Sequence, residues 1–272
     1  MSEENKTLFS HIRDIINPGN QFLSADNTIK SEESPNQITH VPITDIYNLF
    51  CQEFEIVNNK VFDPRCNDGE TKKLAYTLLY YFFNVDNFLD SPLIDRSRNE
   101  KSMSKGLFIA GGYGCGKTMC VKTIASLSRR AYSIDSPLMI NGDIPVKKLM
   151  FKVNFMTANE AVDAYEMCGS SHERSMASDK KMFWNRVTKG PMIFDDVMTE
   201  REASNYGKVE IFKDIFEKRY DAKARTIITA NLVNKSLDHL LNAMEHRYGP
   251  RAYDRLFEMF NFIVLKGKSL RK

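Results

Sequence analysis

Residues Gly111–Thr118 read Gly-Gly-Tyr-Gly-Cys-Gly-Lys-Thr and directly follow the apolar run Leu107-Phe108-Ile109-Ala110. This G-x-x-x-x-G-K-[ST] pattern demands a strand, a tight glycine loop and a helix start, and so limits the chain to a few α/β arrangements. Glycines let the backbone curl with its N–H groups turned toward phosphates, the lysine adds charge, and the threonine hydroxyl can ligate Mg2+. The stretch after the motif agrees: Met119, Val121, Ile124, Ala125 and Leu127 suit a helix packed on a sheet. Gly111, Gly112, Tyr113, Gly114, Cys115, Gly116, Lys117, Thr118 and Met119 form the candidate phosphate-binding set, with Tyr113 and Cys115 at its free positions.

At 272 residues the chain has length for one good core plus a small appended region. Hydrophobic residues at 42% and charged residues at 27% describe an ordinary soluble protein, and no apolar run approaches membrane-spanning length. The N-terminus is polar and acidic, without the look of a secretory signal. Cys51, Cys66, Cys115, Cys120 and Cys168 show no metal-ligand spacing, which suggests reduced thiols in a cytoplasmic setting. A formal charge of +3 is too small to argue for nucleic acid by itself.

Residues 1–40 are rich in Ser, Glu, Asn, Asp and Pro and read as a flexible arm. Leu8, Phe9, Ile12, Ile15 and Ile16 form one island at helical spacing within it. Residues 41–100 read as a helical region, with one helix opening at Thr44-Asp45 and another from Thr71 to about Leu89. The polar run Asp95–Lys101 is the natural linker to a nucleotide-binding domain over 101–272. Strands are expected at 106–110, 151–155, 191–195, 226–230 and 261–265, with helices between them. That alternation marks a parallel sheet covered on both faces. Gly169–Lys181 reads as a surface loop.

Hydrolysis needs acidic groups at a strand end, and Pro191-Met192-Ile193-Phe194-Asp195-Asp196 supplies two. Asp195 is the candidate Mg2+ ligand beside Thr118, and Asp196 the candidate for orienting or deprotonating the attacking water. Glu200 is a second candidate base, weighed against a solvated loop carboxylate. Asn231 ends the strand Thr226–Ala230 and can hold water beside the terminal phosphate, whereas strand alternation turns Thr229 into the sheet face. In Arg247-Tyr248-Gly249-Pro250-Arg251-Ala252-Tyr253-Asp254-Arg255-Leu256, Pro250 can open a helix that sets Arg251 and Arg255 one turn apart. Such a pair suits phosphate recognition, including across a subunit boundary; a salt-bridged surface helix is the plainer reading. Arg271 lies just past the last strand, within phosphate reach or in a basic tail.

Taken in order, GGYGCGKT, MIFDD, TIITAN, RYGPRAYDRL and FIVLKGKSLRK resemble the AAA+ ATPases of the helicase-loader type, DnaC and DnaI, and their IstB transposition relatives. The resemblance covers roughly Lys105–Lys272. It implies a five-stranded AAA+ P-loop domain with a reduced or absent lid, using ATP and Mg2+. Arg255 then matches the arginine finger with Arg251 in support, Arg271 the second-sensor arginine and Asn231 the first-sensor residue. Between Thr157 and Lys189 the resemblance implies helices near a DNA-facing channel, where Lys180, Lys181, Arg186 and Lys189, with Trp184, are candidates for a phosphate backbone; a solvated helix face with a buried Trp is the other reading. The implied partners are further copies of the chain in a ring or spiral, a hexameric replicative helicase and single-stranded DNA; an IstB-like regulator of transposition is the alternative. A small-molecule kinase and a non-hydrolysing nucleotide-gated scaffold are readings from other classes. Met198 departs from the pattern, standing where many relatives carry glycine in D-D-x-G-x-E, and the N-terminal region carries no Cys-rich zinc module.

Overall fold

The computed structural model describes residues 41–168, 173–204 and 208–267, so the 8–16 island and Arg271 lie outside the described residues. Its centre is a parallel sheet of five strands, β1 (Gly106–Gly111), β4 (Asn154–Thr157), β5 (Met192–Val197), β6 (Thr226–Asn231) and β7 (Phe260–Leu265). They lie in the order β4-β5-β6-β1-β7, which sets β1 between β6 and β7. A small antiparallel pair, β2 (Met139–Ile140) and β3 (Ile144–Pro145), stands apart from the sheet and was not legible in the sequence.

Strand alternation sorts the core into two layers. Leu107, Ile109, Ile193, Ile227 and Ile263 face a cluster with α1 (Ile43–Asn58), α2 (Glu70–Phe82) and α3 (Lys117–Ala131). Phe108, Ala110, Phe194, Ile228 and Phe262 face the other cluster. That second layer is built from α4 (Ala158–Met167), α5 (Glu173–Thr188), α6 (Ile211–Asp221), α7 (Leu237–Tyr248) and α8 (Pro250–Met259). A sheet covered on both faces has near-continuous apolar strands, and every residue of β1 is buried. The α/β class and five-stranded parallel sheet flanked by helices follow the sequence expectation.

Several boundaries differ, each for a local reason. The helix expected to run to about Leu89 ends at Phe82, because Asn84 turns left-handed at φ 54° and Val85 N–H closes back on the Tyr80 carbonyl at 2.7 Å. The strand expected at 151–155 starts at Asn154, since Val153 N–H is taken by the Ser128 hydroxyl at 2.8 Å. It runs into Thr157, which caps α4 reciprocally with Glu160. The expected loop at 169–181 is helical from Glu173, drawn inward by Phe183 and Val187 one turn apart on the core face.

The polar run at 95–101 is stitched along β7. Ile94 bridges Ile263, Asp95 N–H reaches the Phe262 carbonyl at 2.8 Å, and the Asn99 amide donates to the carbonyls of Phe257 and Phe260. Arg98 adds ion pairs to Asp95 and Asp238 at 2.9 and 2.7 Å. The strap occupies an edge strand that would otherwise offer a free hydrogen-bonding rim. On the opposite side Glu53 of α1, almost fully buried, accepts from Ser126 at 2.6 Å and pairs with Arg130, fastening α1 to the helix that leaves the phosphate loop.

Candidate nucleotide site

The glycine loop leaves the carboxyl end of β1, the strand between β6 and the edge strand β7. Gly114 and Gly116 hold φ of 71° and 96°, conformations that cost a side-chain-bearing residue strain. A Cβ on Gly111 would meet Cys115 Sγ at 2.8 Å and Leu265 Cβ at 3.0 Å, so the curl also needs glycine for space. The helix α3 then begins at Lys117 with no side chain capping its first turn. Its leading N–H groups and the positive end of its dipole are left for an anion.

Lys117 is nearly buried, and its ammonium donates to the carbonyls of Gly111 and Gly112 at 2.9 Å each and to Asn231 Oδ1 at 3.0 Å. The last bond brings the end of β6 to the phosphate loop. Asp195 is buried and accepts from Thr118 Oγ1 at 3.2 Å and from Thr229 Oγ1 at 2.6 Å. Burial pushes its carboxyl above the ordinary range; the Thr229 bond opposes that shift, the neighbouring Asp196 charge adds to it, and Thr118 and Lys122 oppose it more weakly.

Thr229 is fully buried in the sheet, away from the cavity wall, and braces the acidic pair from there. Phe194 pairs with Ile228 and Val197 with Ala230, so Asp195 and Asp196 together stand opposite Thr229 alone, in a β-bulge. Thr229 Oγ1 holds both members, donating to the Asp195 carboxylate and accepting from Asp196 N–H at 2.9 Å. Successive residues of a regular strand point to opposite faces. Alternation keeps Asp195 on the α3 face with Ile193, against Thr118, and the bulge, with Asp196 at φ 58°, turns Asp196 to the cavity beside the loop. Met198 follows at φ 78°, a conformation that glycine adopts more readily.

The cavity over the loop has a volume of about 500 Å3 and is walled by Tyr113 through Met119, Asp196 and Asn231. Lys60, just after α1, and Thr199 complete it; neither carries a motif that would have revealed it. The size suits a small-molecule ligand. Thr118, Asp195 and Asp196 supply hard oxygen donors of the kind Mg2+ prefers. Among the described residues no group of three or more His, Cys, Asp or Glu side chains could hold a metal unaided.

Glu200 goes elsewhere. It is buried, accepts from Tyr248 Oη at 2.5 Å and pairs with Arg247 at 3.2 Å, so it is neither a solvated loop carboxylate nor part of the cavity wall. Tyr248→Phe should cost roughly 1.5–3 kcal/mol in urea denaturation, as expected for a lost bond to a buried charge. Nucleotide turnover should stay near wild type; a large fall in turnover at unchanged stability would return Glu200 to the chemistry.

Arg255 lies on α8 with its guanidinium 4.2 Å over the Tyr220 ring and 3.4 Å from Asp221. Its Nη1 is buried without a hydrogen-bond partner among the described residues. Arg251 is exposed on the same helix, and neither arginine lines the cavity of its own chain. Trp184 is not a free stacking platform, since it sits edge-on to Phe183 and Tyr165 with the Lys218 ammonium 5.0 Å over its ring. No described helix is long and apolar enough to cross a membrane.

No protein-family model and no curated protein sequence matches this chain. Among solved structures it is similar to the DnaC helicase loader, at 20% identity over 60% of this chain and 79% of that one, with a TM-score of 0.43. It is also similar to AMPPCP-bound DnaA from Aquifex aeolicus, at 16% identity over 77% of this chain and 49% of that one, with a TM-score of 0.41.

Proposed function

We propose that this chain is an AAA+ ATPase that binds ATP with Mg2+ in the cavity over the glycine loop and hydrolyses it. The observation that carries the reading is the meeting of Lys117, Thr118, Asp195, Asp196 and Asn231, drawn from three strand ends, at one rim. Loop N–H groups and Lys117 would hold the phosphates, while Thr118 and Asp195 would hold the metal. The ion, when bound, neutralises charge that develops on the phosphate oxygens. Asn231 accepts from Lys117 through Oδ1, which leaves its Nδ2 to align a water beside the terminal phosphate. Asp196 takes the proton of that water as its oxygen bonds to phosphorus and ADP departs.

Arg255 and Arg251 serve a neighbouring copy in this reading, and Arg271 the phosphates of its own chain. Support comes from the place of α8: it presents Arg251 to solvent and holds Arg255 close to the surface, with neither in the cavity of the same chain. The assembled ATPase then acts on single-stranded DNA and a hexameric replicative helicase, with ATP favouring assembly and hydrolysis favouring release.

A mixing experiment tests the composite site. Lys117→Ala and Arg255→Ala proteins should each lose turnover, the second by roughly a thousandfold. Their mixture should regain part of it, because some boundaries then pair an intact loop with an intact arginine. Full turnover of Arg255→Ala alone would show a site complete within one chain. Failure to capture a replicative helicase, with or without ATP and DNA, would remove the loading part and leave the ATPase standing.

A further inference from the structure

A second cleft, at about 700 Å3 larger than the nucleotide cavity, runs between α3, the start of β4 and α5. Lys122, Arg129, Lys152 and Arg186 line it, and no carboxylate does. The chain as a whole is close to balanced, with 38 Lys and Arg against 35 Asp and Glu, so four cations in one cleft without an acid stand out. Among the described residues none of these four forms an ion pair, whereas Arg98, Arg130, Arg201, Arg247 and Arg255 all do. Like charges brought together at a cleft without counter-charge repel one another, and an anionic ligand relieves that cost.

The layout distinguishes what kind of anion fits. Lys122 and Arg129 lie seven positions apart on α3, so they are spaced by roughly 10 Å along its axis. They follow a line and do not converge on a single phosphate. Phe155 and Tyr132 also line the cleft, and the Lys122 ammonium sits 5.9 Å over the Phe155 ring. A basic track interleaved with aromatic faces suits a flexible strand with bases to stack, more than a rigid duplex or an acidic peptide.

We propose that this cleft holds the phosphodiester backbone of single-stranded nucleic acid. The inference rests on the nucleic-acid part of the proposed function and gives it a place on one chain. It also supplies a route to the nucleotide site: Lys122 is one turn beyond Thr118 on α3, and its charge acts on the Asp195 carboxylate. A strand that engages Lys122 therefore touches the helix and the field that hold the metal ligands.

The test is fluorescence anisotropy of a labelled oligothymidylate with the full chain, as a function of salt. Lys152→Gln/Arg186→Gln should weaken binding roughly tenfold and lower the log-log salt slope by about 1.4, at ~0.7 per phosphate contact. Lys213→Gln/Lys223→Gln, on exposed positions outside the cleft, should change neither. ATP-analogue binding should be unaffected in both variants, which reports that the fold is intact. In the wild-type protein the oligonucleotide should also shield Lys122 and Lys152 from acetylation, a readout that needs no variant. Unchanged affinity and no shielding would overturn the cleft while nucleic-acid binding stands. No binding of any oligonucleotide at low salt would overturn both, and preference for a polyglutamate peptide or for duplex DNA would reassign the cleft to that ligand.

Discussion

Asp195→Asn is expected to lower ATP turnover by on the order of a hundredfold or more while raising the melting temperature of the nucleotide-free protein. The two effects share one cause. Asp195 is buried beside Asp196, and burial holds its carboxyl above the ordinary range. For an acid whose folded pKa is raised, the charged form is a net cost to folding above that pKa, and the cost disappears as pH falls through it. At neutral pH the asparagine removes the charge and keeps an oxygen for Thr118 and Thr229. A bound metal needs that charge, so the same change removes what the site is for. Phosphate release and thermal melting with and without MgATP measure the pair. Nucleotide should stabilise wild type and fail to stabilise the variant. Asp196→Asn, at the half-buried rim of the cavity, should lose turnover while sparing ATP binding. A variant at 195 that melts lower without nucleotide, or turns over normally, contradicts this account.

Arg219→Ala should be the most damaging substitution away from the site. Arg219 is fully buried on α6, and among the described residues it has no carboxylate partner. Its guanidinium donates to the carbonyls of Val187, Gly190 and Arg225 and to Thr226 Oγ1, all at 2.7–2.9 Å, and lies 5.6 Å over the Phe194 ring. Burial pushes its pKa down to about 10, which leaves it charged at neutral pH. The carbonyls come from the end of α5, the turn into β5 and the turn into β6, so a single side chain ties together the entry to two central strands. Removing it opens a cavity and strands buried acceptors, at a cost of roughly 3–5 kcal/mol. Domains of this kind have only about 5–15 kcal/mol of stability in total. Urea denaturation should show that loss, and Arg219→Lys should recover little of it, because one ammonium cannot span the same acceptors. Near-wild-type stability of the alanine variant would show that the carbonyls find other partners.

Arg219 also marks where reading a sequence stops. In Glu217-Lys218-Arg219-Tyr220 it looks like one more charge on a solvated helix face. Nothing within a helical window separates it from Lys218, which is exposed with its ammonium over Trp184. Glu200 is a similar case: its partner Tyr248 is distant in the chain, and only folding brings the hydroxyl to 2.5 Å. Arg255 was legible as one of an arginine pair, but its seat on Tyr220 and Asp221 was not.

The sequence by itself determined the glycine loop and the helix behind it, the α/β class with five parallel strands, and the position of two carboxylates and an asparagine at strand ends. Those features depend on backbone sterics, apolar periodicity and spacing, which operate over a few consecutive residues. Tertiary structure alone decided that Asp195 and Asp196 share one rim. That takes a bulge braced by Thr229 from the neighbouring strand, a contact between residues 34 positions apart. Tertiary structure also withdrew Glu200 into the interior, packed Trp184 against other aromatic rings, and brought together in one cleft four cations that form no ion pair among the described residues. Burial and charge pairing are set by whichever distant elements pack together, and no local window carries that information.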